Sequence, residues 1–154
     1  RRVLFRSVAV LHHGEIIQKG LTKEVFTKPA NEFVANFTGI KNFFTAEFIT
    51  QNTAKINGKL EIKVSNNGQL KKGKIIIRGE EIILSNEKIE SSAVNNLKGE
   101  IKQIIPYLTN YEIIVDVGIE LSVVISEESL QKFRFKENTK VWVSFKSSAI
   151  KILP

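Results

Sequence analysis

Residues 120–152, "ELSVVISEESLQKFRFKENTKVWVSFKSSAIKI", decide how this chain is read. The stretch opens as a strand rich in β-branched residues, then changes character at Ser126. That serine can cap a short helix whose first turn carries Glu127 and Glu128, where negative charge suits the positive end of the helix dipole. Strand alternation returns at 140–146, with Val141, Val143 and Phe145 on one side, and again at 149–153. Two more strand-like runs, 98–105 and 111–117, precede the quoted stretch. The order over the last sixty residues is three strands, a short helix and two strands, which is the element order of a five-stranded OB-like barrel.

Alternation stops at Lys146, Ser147 and Ser148, three hydrogen-bond donors in a row with no carboxylate beside them. Two readings stand at this point. Serines cap turns and a lysine ends a strand in water, or the three form one wall of a pocket for negative charge. A tetrahedral oxyanion requires donors converging from several segments, and serine hydroxyls, main-chain N–H groups and a lysine supply them. Two other segments offer such donors. Ser91, Ser92 and Asn95 lie in the loop "SSAVN", and Ser126 and Ser129 sit at the helix start, where backbone N–H groups are also unpaired.

Outward from this region, residues 41–95 carry further short β-rich runs at 43–50, 59–64, 74–78 and 81–84, separated by Asn, Gly and Lys. Spacing this close suggests small barrels or sandwiches. Before residue 40 the texture differs. "VAVLHHGEIIQKG" reads as two strands around a turn at His13–Gly14. Thr22 is placed to cap one or two helical turns that stop before Pro29, and "ANEFVANFTG" sets Phe33, Val34 and Phe37 at helical spacing, with Gly39 at the C-cap. The expected division is 8–40, 41–95 and 96–154.

Composition narrows the classes. The chain has 154 residues, 42% hydrophobic, with no cysteine, so it can bury a core and has neither a disulfide framework nor a thiolate metal site. No run of about 18 apolar residues offers a bilayer span. The formal net charge of +7 draws on Arg1, Arg2 and Arg6 of "RRVLFRS". That string looks like a sequencing-adapter artefact, so residues 1–7 are set aside from fold reasoning. The remaining 20 basic residues face 16 acidic ones, a balance too mild to demand nucleic acid, and the aromatics do not form the exposed basic groove that a single-strand binder requires. His12 and His13 stand in a turn without a third ligand nearby and read as structural rather than metal-binding. Trp142 reads as packing against a neighbouring subdomain. Glu80 and Glu81, adjacent in a strand-like run, fall on opposite faces and make a poor acid–base pair. No catalytic constellation is present.

The segment "VAVLHHGEIIQKGLTKEVFTKPANEFVANFTGIKN" resembles the end of the nucleotide-binding domain of importer-type ABC-transporter ATPases. Gly14, Ile16, Gln18, Gly20, Glu24, Val25, Phe26, Pro29, Phe33, Val34, Ala35, Phe37, Gly39 and Asn42 fit that family's "G.I.Q.G", "EVF..P" and "FVA.F.G..N" patterns. The remainder is similar to the appended TOBE region in its molybdate/tungstate-binding (MOP) version. "IIIRGEEIILS" is similar to "IRPEDI.LS", with Gly79 for proline. "SSAVNNLKGEI" is similar to "SSARN.L.G.V", with Val94 for arginine. "ISEESLQKFRFKENTKVWVSFKSSAI" is similar to "IT..SL..L.L..G..V...FKAS.V", with Ser126 for threonine.

The resemblance implies a mainly β chain: tandem small OB-like (TOBE/MOP) barrels preceded by a strand-pair and helix remnant of an α/β nucleotide-binding domain. It implies a piece of a longer ATPase whose phosphate loop, signature motif and Walker B carboxylates lie upstream. The chain itself is then no enzyme and holds no cofactor, and ATP with magnesium belongs to the missing domain. It carries Ser92, Asn95, Ser126, Ser129, Lys146 and Ser147 over as ligands for molybdate or tungstate. Partners would be a second copy in a homodimer and membrane permease subunits, on the cytoplasmic face of the cell membrane. Val94 removes a bidentate cation, which implies weaker binding or charge supplied from elsewhere. The competing implication is a structural or dimerisation TOBE module, as in sulfate, iron, polyamine or sugar importers.

Overall fold

The computed structural model describes residues 6–154. Strand β1 (Ser7–His12) and β2 (Glu15–Leu21) form a two-stranded antiparallel ribbon. Helices α1 (Thr22–Thr27) and α2 (Glu32–Phe37) follow. The expected artefact at 1–7 lies outside the described residues except for Arg6 and Ser7, whose Arg6 carbonyl accepts from Thr22 N–H at 3.1 Å. Leu21 rather than Thr22 is the N-cap of α1, while Asn31 caps α2 by accepting from Val34 N–H at 3.0 Å. Thr38 is the C-cap of α2, and Gly39 adopts the left-handed φ of +82° just beyond it. Val10, Val25 and Val34 make a small core of their own.

The first sheet is built from β3 (Asn42–Thr50), β4 (Thr53–Ile56), β5 (Leu60–Lys63) and β6 (Lys72–Ile77). The second takes β7 (Ile83–Ser85), β8 (Asn95–Tyr107), β9 (Asn110–Asp116), β10 (Glu120–Ser126) and β11 (Lys140–Phe145), with α3 (Glu127–Phe133) after β10. The last strand, β12 (Ile150–Leu153), returns to the first sheet. The orders are β12-β6-β3-β4-β5 and β10-β9-β8-β11-β7. Mainly β architecture with curled five-stranded sheets is as expected.

One sequence expectation differs. The fifth strand of the second sheet is β7, not the 149–153 run, and β12 pairs instead with β6 through Ile150↔Ile77 to Leu153↔Lys74. A division at 95/96 therefore runs across two strand exchanges. The reason is length. A three-residue 3-10 turn after β6 (Gly79–Glu81) and another after β11 (Ser147–Ala149) each throw the next strand across to the opposite sheet. The buried side chains accordingly form one cluster, with Ala46, Ile56, Ile75 and Ile77 of the first sheet packed with Ile101, Val115, Val143 and Phe145 of the second.

The two sheets are related by an internal twofold repeat. Asn42 starts β3 opposite Ile77, the last residue of β6, and Asn95 starts β8 opposite Phe145, the last of β11. Each asparagine reaches across to the third strand of the other sheet. Asn42 donates to Ser122 O at 2.7 Å and accepts from Ser122 N–H at 2.7 Å, and Asn95 donates to Lys63 O at 2.9 Å and accepts from Lys63 N–H at 2.7 Å. A primary amide so used imitates a peptide unit and satisfies two buried backbone groups at once.

Candidate anion site

The Lys146 turn is fixed from below. Val141, Val143 and Phe145 point into the core, so β11 ends with its last side chain buried and Lys146 exposed as the N-cap of the 3-10 turn. Ala149 N–H closes that turn on Lys146 O at 3.1 Å. Ser144, buried, donates to Asn96 Oδ1 at 2.8 Å, and Asn96 Nδ2 donates to Ala93 O at 2.7 Å. This relay ties the 91–95 loop to β11. Ser91 Oγ is used within the loop, accepting from Ala93 N–H at 3.1 Å. Ser92 is exposed.

A third segment completes the place. Ser65, just past β5, donates from its hydroxyl to Ser147 O at 3.2 Å. Segments 63–65, 91–96 and 144–149 hold serines, asparagines and two lysines but no carboxylate. Lys146 takes part in no ion pair among the described residues, since the only two are Lys72–Glu47 and Lys102–Glu100. An exposed ammonium with hydroxyls on two neighbouring segments can hold an oxyanion by charge and hydrogen bonds. Val94, 56% exposed in the 91–95 loop, has a side chain that supplies neither.

The expected ligand residues divide into two groups. Asn95 starts β8 opposite Phe145 and so adjoins the Lys146–Ser147 turn, and Ser92 lies exposed in the loop that precedes it. Asn95, however, is buried, with its Oδ1 and one amide N–H committed to Lys63, so it acts first as a clamp that positions β5 and the loop. Ser126 and Ser129 stand apart: Ser126 Oγ accepts from Ser129 N–H at 3.2 Å and donates to Ser129 Oγ at 3.1 Å. They edge an apolar cleft of about 710 Å³ lined by Ile82, Leu84, Ile125, Phe133 and Phe135. The twofold explains the separation. β10 packs against the Gly79–Glu81 turn, the counterpart of the Ser147 turn, and so carries the helix hydroxyls to the other position. There a Cβ on Gly79 would lie 3.0 Å from Val124 Cγ2 and 3.1 Å from Ser122 O, which accounts for glycine at that point.

Ser65 was not foreseen. A serine after a short strand run carries no signal of its own, and only the strand exchange places it against Ser147. Trp142 pairs in register with Ser85 of the expected 41–95 unit and also lies under Lys98, whose Nζ is 5.3 Å from the ring centroid. The His12 and His13 rings lie side by side, with centroids 4.0 Å apart, and the His12 ring is 4.0 Å from that of Phe33. No group of three potential metal ligands occurs among the described residues. No helix among them is long and apolar enough to cross a membrane.

Residues 91–152 match the TOBE domain family. The chain is 36% identical over 150 residues to the molybdate/tungstate import ATP-binding protein WtpC of Pyrococcus abyssi, covering 94% of this chain and 42% of that protein. It is 33% identical over 138 residues to the spermidine/putrescine import ATP-binding protein PotA of Fusobacterium nucleatum, covering 84% of this chain and 34% of that one. The chain thus spans less than half the length of these curated relatives. Among solved structures, the cytoplasmic molybdate-binding protein ModG with molybdate bound shares the fold at a TM-score of 0.58 and 17% identity, over 74% of this chain and 96% of that one.

Proposed function

Because residues 91–152 are a TOBE domain in a chain whose curated relatives are importer ATP-binding proteins, we propose that this chain is the regulatory end of such a protein and binds molybdate or tungstate at the Lys146 turn. The single observation that supports the reading is the exposed Lys146 at a turn held to Ser65 through Ser147 O, with no carboxylate in either segment. Oxyanion bound there favours a resting arrangement of the whole transporter ATPase and slows uptake. The coupling requires tighter binding to the resting state than to the active one. Ser126 and Ser129 join the site only if a second copy turns its α3 toward Lys146, so a homodimer would complete it. The cytosolic location and the permease partners belong to the same proposal.

The test is calorimetry on the chain with tungstate, molybdate and sulfate, with light scattering to follow mass. Tungstate and molybdate are expected to bind more tightly than sulfate. Lys146→Ala should weaken them by about tenfold or more, since charged hydrogen bonds contribute roughly 1.5–3 kcal/mol. Affinity that survives Lys146→Ala would sink the assignment. One observation favours a second reading, a structural TOBE module with no anion of its own: Val94 supplies no charge, and a polyamine importer protein also matches over 84% of the chain. No heat from any of the three anions, from a folded sample, selects it.

A further inference from the structure

The outer face of the first sheet carries a second concentration of positive charge. Ala35 and Ile40 pack on Ile76, flanked by Phe43 and Leu153, and so dock the 7–40 unit on this face. Lys151 pairs with Ile76 in register, and Arg78 lies two residues beyond Ile76, so strand alternation sends both side chains to that same face. Arg78 Nη2 donates to Phe26 O at 3.1 Å, in the last turn of α1. Lys28 is the C-cap of α1 and Lys23 lies in its first turn. Apolar docking and one main-chain hydrogen bond therefore hold four cations around a single junction.

None of the four takes part in an ion pair among the described residues. Partial burial, and then Arg78, Lys28 and Lys23, hold the Lys151 ammonium below its ordinary value, so the charges acting most strongly on it are all positive. Register sets Lys151 and Arg78 on one face, and the Arg78–Phe26 hydrogen bond brings the end of α1, with Lys28 as its C-cap, to that face. Cations gathered at one junction suit a compact multivalent anion.

The geometry points to a second anion site, formed by Lys23, Lys28, Arg78 and Lys151 at the junction of α1 with β6 and β12, that takes a phosphate-bearing small molecule. Arg78 offers its remaining guanidinium donors and the lysines act as point charges. The site is separate from the Lys146 turn in residues and in partner segments.

The test is thermal unfolding and calorimetry of the full chain with pyrophosphate, against sodium chloride at equal ionic strength. At tenfold excess over Kd, pyrophosphate should raise Tm by about 3–6 °C. Lys151→Gln should weaken it about tenfold, Lys28→Gln should weaken it as well, and Lys146→Ala should leave it unchanged. Stabilisation no greater than that of the salt control overturns the proposal. So does pyrophosphate binding that is lost in Lys146→Ala and kept in Lys151→Gln, because the anion then sits at the Lys146 turn. If Lys151→Gln does not fold, Lys28→Gln decides alone, and unchanged affinity in it overturns the site. A nucleoside triphosphate run in parallel distinguishes sources. Equal affinities mean that only phosphate is read, and a tighter nucleotide means that the base adds contacts.

Discussion

At the residue scale the two asparagine clamps matter more for stability than for binding. Asn95→Ala leaves Lys63 N–H and C=O without their buried partners, and the expected loss is about 2 kcal/mol, measurable as a lower urea midpoint at unchanged m. Lys151 supplies a pH signature. Its folded value lies below the ordinary one, so the unfolded chain binds more protons and stability rises as pH climbs from the folded value toward the unfolded value of about 10.4. Lys151→Met should flatten that alkaline rise in unfolding curves. Gly79→Ala should cost about 1–3 kcal/mol, because the added methyl meets Val124 and the Ser122 carbonyl. Of the candidate residues, the turn at Lys146 and Ser147 was legible because the strand pattern broke there. That Asn95 would be spent on Lys63 was not, since a buried clamp and an exposed ligand are the same letter in sequence.

At the element scale the strands of the second half could be read and those of the first only partly. The β10–α3–β11 run announced itself through alternation and the Ser126 cap, which accepts from Ser129 N–H as the pattern predicts. β4 escaped notice because "TAKI" is four residues long and shows only Ala54 and Ile56 inward. The β8–β9 hairpin holds a local strain. Leu108 is 92% exposed at its tip with φ +53°, a conformation costly for a branched side chain and easier for asparagine or glycine. Leu108→Asn should stabilise the chain by about 0.5–1 kcal/mol, read as a higher Tm with no change in tungstate affinity.

At the scale of the whole molecule the shared core predicts one cooperative transition for the two sheets. Trp142 fluorescence reports the second sheet, whereas backbone circular dichroism reports both, and the two curves should coincide. Separate midpoints would mean that the sheets unfold independently. The sequence could not show this sharing, because it depends on which sheet receives β7 and β12, and a strand run carries no mark of its partner. The exchange also fixes an order of events during synthesis. The edge strand that closes the first sheet is β12, so a ribosome that has delivered residues 42–77 has made four of that sheet's strands and left β6 without its neighbour. Ile75, Ile76 and Ile77 stay unpaired on that side until residue 153 emerges. A nascent chain stalled anywhere between them presents an open, apolar strand edge, and that interval is when it depends most on a chaperone.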